Sequence, residues 1–207
     1  MNFWLVLASV LLANLTLGGR VSHAVQLSSE IAMMYAAVEM VPPTATQMTV
    51  CYGFICRLRF ILDFSDAERA KLTNILAKGK ASAAAERKAI QEAFVWFDHR
   101  VASEVGTNKR VARADFRHLD ADHNFDCYDT TRNAVSLLLV LREWALLRHH
   151  TVSDPKYRGN FLVGQTPHNT AVLTERVGGQ NWVVDMWTTS FGQVPDVMPV
   201  EKWLDEN

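Results

Sequence analysis

Acyl transfer through a thioester needs three side chains: a cysteine to attack, an imidazole to move the proton, and a carboxylate to orient the imidazole. Cys127 lies in Asp126-Cys127-Tyr128-Asp129, a few residues before the run from Ala134 to Leu147, which is apolar nearly all round. That pattern reads as a loop that turns into a central helix with little solvent exposure. Asp126, Asp129, Thr130 and Thr131 each carry the short side-chain oxygen that can cap a helix start. Cys127 would then stand at the positive end of the helix dipole, which favours the thiolate.

A cysteine alone is more often a small apolar filler than a nucleophile. The downstream sequence raises its standing. His168 precedes the apolar, β-branched run Asn169-Thr170-Ala171-Val172-Leu173, and Asp185 ends the run Asn181-Trp182-Val183-Val184. Gly178-Gly179 between the two runs is a hairpin signal. Such a hairpin brings His168 and Asp185 to the same end of neighbouring strands, and a Cys-His-Asp triad follows.

Asp126-Cys127-Tyr128-Asp129 resembles the Asp-Cys-x-Asp element of bacterial transglutaminase-like cysteine proteinases, part of the wider transglutaminase-like superfamily. The His168 strand and the Val183-Val184-Asp185 strand resemble that family's second and third motifs, in the same order and at similar spacing. The resemblance covers about residues 120–190, and Phe125 stands where the family often has glycine. It implies an α+β fold with a papain-like core: a Cys-bearing helix packed on an antiparallel sheet that carries His168 and Asp185, with extra helices N-terminal to it. It also implies roles. Cys127 attacks an amide carbonyl of a protein or peptide, His168 moves the proton, and Asp185 orients His168. Water as acceptor makes a peptidase or amidase, and an amine makes a transglutaminase; analogy favours hydrolysis. No cofactor enters this chemistry. Asn124 and the backbone N–H of Cys127 are candidate oxyanion donors. Asp129 is a candidate brace for the turn, or a partner for Arg132. Two rival classes stay open: a non-catalytic peptide-binding module on the same fold, and a purely structural exported domain.

The elements around these motifs come from a sequence of 207 residues, 49% of them hydrophobic, enough for one domain with a real core. Its net charge of −1 argues against nucleic acid or an anionic surface as partner. Residues 1–24 read as an export signal: an apolar stretch from Phe3 to Leu17, then Ser22-His23-Ala24 as a small-x-small cleavage site. The expected organisation is a signal peptide over 1–24, an N-terminal arm over 25–49 and the transglutaminase-like domain over 50–207, with a periplasmic or secreted destination. The only contact expected with a membrane is export itself. In an oxidising compartment Cys51 and Cys56 form a disulfide across a short loop, and Cys127 is left as the free thiol.

Arg57 to Phe64 alternates as a strand, with Leu58, Phe60 and Leu62 on one face. Ser65-Asp66-Ala67-Glu68 is a capping box that opens a helix to about Ala77. A second helix runs from about Ala83 to Glu104, with Ile90, Phe94, Phe97 and Val101 on one side and Glu86, Arg87, Lys88 and Glu92 as a solvated face. Asp120 to Asp126 echoes a calcium loop, but Phe125 and Thr131 occupy the glycine and bidentate-glutamate positions, so no metal is assigned. His149 and His150 are adjacent on an expected strand, point to opposite faces and are read as structural or surface residues. Asp154 to Gly159 reads as a turn, Phe161-Leu162-Val163 as a short strand, and Pro199 to Leu204 as a last helical turn that packs Trp203 back. Trp187 and Phe191 either wall a cleft or fill the core, and core filling is favoured for both. N-terminal sequencing of protein from the cell envelope should begin at Val25; full-length protein in the cytosol would contradict the export reading.

Overall fold

The computed structural model describes residues 25–120, 123–160, 162 and 164–206. The signal-peptide reading over 1–24, residues 121 and 122 of the calcium-like loop, and most of the strand expected at 161–163 lie outside them. The architecture is α+β. Helix α1 (Ser29–Ala36) precedes a two-stranded antiparallel ribbon of β1 (Gln47–Tyr52) and β2 (Leu58–Asp63). Helices α2 (Asp66–Ala77) and α3 (Ala83–Val105) follow, then a long irregular connection, then α4 (Cys127–Glu143). A four-stranded antiparallel sheet closes the fold, in the order β3 (His150–Arg158), β4 (His168–Glu175), β5 (Asn181–Asp185), β6 (Asp196–Pro199), with α5 (Val200–Asp205) after it.

Each boundary has a local cause. The capping box at Ser65 and Glu68 is formed on both sides and starts α2. The Ser82 hydroxyl accepts from the Ala85 N–H to start α3, and Gly106 at φ 73° ends it. Ile90, Phe94, Phe97 and Val101 recur at helical spacing and all are buried. Helix α4 is buried from Cys127 to Leu141 apart from Tyr128, because it packs against β1 as well as β3 and β4. Residues 25–49 share that core. Val25, Ile31, Met34, Tyr35 and Met40 belong to it, and the Tyr35 hydroxyl is 2.8 Å from Ser136 Oγ on α4.

Two expectations need correction. Asp154 to Gly159 is not a turn, since β3 continues to Arg158. The pairing of β3 with β4 shifts between Ser153 and Lys156, and this irregularity takes up Pro155 on an edge strand, where a missing N–H is tolerated. The solvated face of α3 holds for Lys88 and Glu92 but not for Glu86 and Arg87. Glu86 is 1% exposed, and its carboxylate accepts from the backbone N–H groups of Arg148, His149 and His150 and pairs with His150 Nδ1 at 2.8 Å. Arg87 pairs with Glu175, and its guanidinium lies 3.5 Å from the Trp182 ring centre. Glu86 therefore anchors the entry of β3 to the helical layer.

Among the described residues no helix is long and apolar enough to cross a membrane. Glu86→Ala should cost about 3 kcal/mol, because the β3 entry loses a buried charged acceptor and keeps its donors. Urea unfolding measures this, and a midpoint equal to wild type would remove the anchoring role.

Candidate active site

The turn that carries Cys127 is built against the disulfide loop. Cys51 and Cys56 are bonded, and Gly53, Phe54, Ile55 and Cys56 all have positive φ, between 51° and 74°. Such a left-handed run is unfavourable for side chains bearing a Cβ, most of all β-branched Ile55. It is held by two carboxylates at the start of α4. Asp129 accepts from the N–H of Phe54 at 2.8 Å and of Cys56 at 2.6 Å. Asp126 accepts from Ile55 N–H at 2.9 Å and, as N-cap, from Asp129 N–H at 2.7 Å. Asn133, further along α4, exchanges hydrogen bonds with both backbone groups of Cys51. Burial, and then the Asp126 charge, push the Asp129 carboxyl up to about 7, while its N–H partners pull it down. Asp129 thus braces the turn, whereas Arg132 turns away to the carbonyls of Met34 and Tyr128.

His168 is held from the other side. His168 begins β4 and Asp185 ends β5, and the pairing Ala171 with Val184 places them at one end of the hairpin closed by Gly178 and Gly179, both at positive φ. His168 Nε2 lies 2.5 Å from Asp185 Oδ2. That carboxylate is 1% exposed and also accepts from Trp203 Nε1 at 3.0 Å and from the backbone N–H of Trp187 at 3.1 Å. Three donors fix its position. The His168 ring packs against Trp187, centre to centre 4.4 Å, and against Trp203 at 5.4 Å. With Nε2–H given to Asp185, the lone pair is on Nδ1, which is buried and has no hydrogen-bond partner.

Cys127 is the first residue of α4 and lines a cavity of about 450 Å³ whose walls include Phe54, Ile55, Phe116, Leu119, Pro167 and Trp187. A second cavity of about 430 Å³ lies on the His168 side, and the two share Asp115, Thr166 and Trp187. The backbone N–H of Asn169, next to His168, reaches the Cys127 sulfur, and the Thr131 hydroxyl donates to the Asn169 carbonyl at 2.9 Å. These bonds tie α4 to β4 at the site. Burial and nearby charge work against the expected resting thiolate. Burial, and then the charge of Asp126 with a further push from Asp185, raise the Cys127 thiol to about 12, although the Asn169 N–H works the other way.

Asn124 is buried, and its side-chain oxygen accepts from Val111 N–H at 2.9 Å while its carbonyl accepts from Gly53 N–H at 3.0 Å. It is a strut between loops. Trp187, expected in the core, is instead a wall common to both cavities, pinned by its indole N–H to the Ala114 carbonyl at 2.8 Å. Phe191, also expected in the core, is part-exposed and meets the His99 ring edge-on at 4.7 Å. Trp203 as a donor to Asp185 has no signal in the sequence beyond an aromatic near its end. No cluster of His, Cys, Asp or Glu able to hold a metal occurs among the described residues. Comparison with protein-family models, curated proteins and solved structures finds no match for this protein.

Because the folded thiol is raised, the thiolate fraction grows only in the alkaline range. Alkylation of Cys127 by iodoacetamide should stay slow at pH 6 and climb well above pH 8. Asp126→Asn should move that climb to lower pH by removing the nearest negative charge. A fast plateau already present at pH 6 would show a resting thiolate–imidazolium pair and reject the neutral thiol.

Proposed function

We propose that this protein is an exported thiol-dependent acyl-transfer enzyme of transglutaminase-like type, a cysteine peptidase or amidase that acts on protein or peptide amides through Cys127, His168 and Asp185. On this reading the Cys-bearing helix and the sheet with His168 and Asp185 form a papain-like core. One observation carries the proposal. The buried imidazole of His168 has Nε2 committed to a fixed carboxylate and Nδ1 left without a partner, on the strand whose next N–H meets the Cys127 sulfur. A merely structural buried histidine has both nitrogens satisfied, as His150 does with Glu86 and Arg87.

In the proposed reaction the substrate carbonyl enters over Cys127. His168 Nδ1 takes the thiol proton as the S–C bond forms, and Asp185 stabilises the imidazolium. The first N–H groups of a helix have no intrahelical acceptor, so the Cys127 N–H serves the developing oxyanion. The C–N bond breaks, and the proton on Nδ1 goes to the leaving amine. Water, deprotonated by the same nitrogen, then cleaves the thioester and restores the thiol and a carboxylic acid. An amine in place of water would give transamidation. The Cys51–Cys56 disulfide supports export to an oxidising compartment, after cleavage of the signal peptide near Ala24.

A second reading is favoured by one specific observation: Cys127 is only 8% exposed and its thiol is raised to about 12, as suits a peptide-binding module that keeps the fold without the reaction.

Hydrolysis of a casein-derived peptide mixture, followed by release of new amines, separates the two. Cys127→Ala should abolish it. Asp185→Asn should lower kcat by about a thousandfold or more through loss of imidazole orientation. Trp203→Phe, which deletes one donor to Asp185 and keeps the ring, should lower it about tenfold. Undiminished hydrolysis in Cys127→Ala sinks the enzyme reading, and peptide binding without turnover in wild type establishes the binding module.

A further inference from the structure

The two cavities at the site differ in chemistry. The one that Cys127 lines is walled by Phe54, Ile55, Phe116 and Leu119. The one that His168 lines contains Arg113, Arg117 and Arg158 together with Asp115 and Glu206. Three guanidiniums line it against two carboxylates. Asp115 is spent on Arg117, whose Nε and Nη2 bind it at 2.6 to 3.0 Å, and that pair holds the carboxyl down to about 2. Glu206 has Lys202 Nζ at 3.8 Å. Arg158 gives Nη1 to the Trp203 carbonyl and lies 4.2 Å from the centre of the Trp203 ring, which leaves the rest of its fork uncommitted. Arg113 has no ion pair among the described residues; its backbone φ is 53°, and its N–H is fixed to the Trp187 carbonyl at 2.6 Å, so the side chain starts from an anchored point beside the cleft. Burial lowers the Arg158 pKa; the charges of Asp185 and Glu206 raise it and that of Arg113 lowers it, so the two arginines act on each other across the cavity that both line.

The proposed reaction gives the two cavities an order. The carbonyl carbon must meet the Cys127 sulfur, and the leaving nitrogen must meet His168, which protonates it. The acyl part then fills the apolar cavity and the leaving amine extends into the cationic one. We propose that Arg113 and Arg158 form a leaving-group subsite that receives a carboxylate carried by the departing amine. This inference rests on the acyl-transfer reading and adds its substrate class: amides whose leaving part bears a carboxylate near the new amino group. Planar guanidinium forks match a carboxylate in geometry as well as charge. The carboxylate has two sources, the terminal carboxyl group of a peptide or an Asp or Glu side chain.

Protection of Cys127 from iodoacetamide tests the subsite without requiring turnover. Three product-like probes are compared at equal millimolar concentration: leucylglycine, leucylglycinamide and aspartylglycinamide. The readout is the ratio of alkylation rates with and without probe. A probe with a carboxylate should protect about tenfold better than leucylglycinamide. Protection by leucylglycine alone assigns the terminal carboxylate, and protection by aspartylglycinamide alone assigns the side-chain carboxylate; either result supports the subsite. Arg113→Ala, an exposed position whose fold does not depend on the side chain, and Arg158→Gln should each erase most of the carboxylate preference, with high salt doing the same in wild type. Equal protection by all three probes, no protection by any, or a preference unchanged in Arg113→Ala overturns the proposal. Hydrolysis is scored separately. Carboxylate-specific protection in a protein that never turns over keeps the subsite and rejects the peptidase.

Discussion

The carboxylates of Asp126 and Asp129 hold the disulfide loop against the start of the helix that carries Cys127. Their bonds to Phe54, Ile55 and Cys56 keep a left-handed stretch in place. Each non-glycine residue in that conformation costs roughly 1–2 kcal/mol. Each hydrogen bond to a charged acceptor contributes roughly 1.5–3 kcal/mol. There are three such residues and three such bonds, so the clamp offsets the strain bond for bond. What it secures is functional. Phe54 and Ile55 become a wall of the cavity over Cys127, and the same carboxylate that receives Ile55 caps the helix bearing the thiol. The disulfide closes the loop covalently, and the carboxylates decide which way it faces.

The opposite half is arranged around one buried charge as well. Asp185 sits at the end of an interior strand and would be costly there unpaired. It is satisfied by donors from three places: the neighbouring strand through His168, its own turn through Trp187, and the terminal helix through Trp203. Helix α5 is therefore part of the site although it touches neither cavity through Trp203. Both indole rings also pack against the imidazole, whose Nδ1 is buried.

Local signals in the sequence account for much of this. The capping box at Ser65, the glycine end of α3, the Cys51–Cys56 pair and the hairpin between His168 and Asp185 are each set by residues within a few positions of one another, and each is found in the structure. What is not legible in the sequence depends on distant partners. Glu86 looks like any helix-surface glutamate until β3 brings three backbone donors to it. Asp154-Pro155 looks like a turn because its local chemistry is that of a turn, but the shifted register of an edge strand absorbs it. Strand β1 lacks the alternation of a half-buried strand, because Met48, Thr49, Val50 and Cys51 are all buried once α4 packs beside it. Trp203 and the arginines of the His168-side cavity come from segments whose spacing carries no period at all.

The thiol shows why position in a motif does not set reactivity. A helix N-terminus stabilises an anion by up to about 2 kcal/mol. The rise of the Cys127 thiol from 9.0 to about 12 corresponds to roughly 4 kcal/mol against the thiolate at 1.36 kcal/mol per pKa unit. Burial and the flanking acids therefore outweigh the dipole, and the resting cysteine keeps its proton. The acids cannot simply be dispensed with, because Asp126 caps the helix and holds Ile55, and Asp185 holds the His168 ring. The groups that build the site are the ones that hold the proton on Cys127. In the proposed reaction this conflict resolves only when a carbonyl is present, since proton transfer to His168 and S–C bond formation then proceed together and no free thiolate need accumulate. Such a cysteine would be nearly inert toward stray electrophiles and oxidants in an oxidising compartment, where reactivity follows thiolate character.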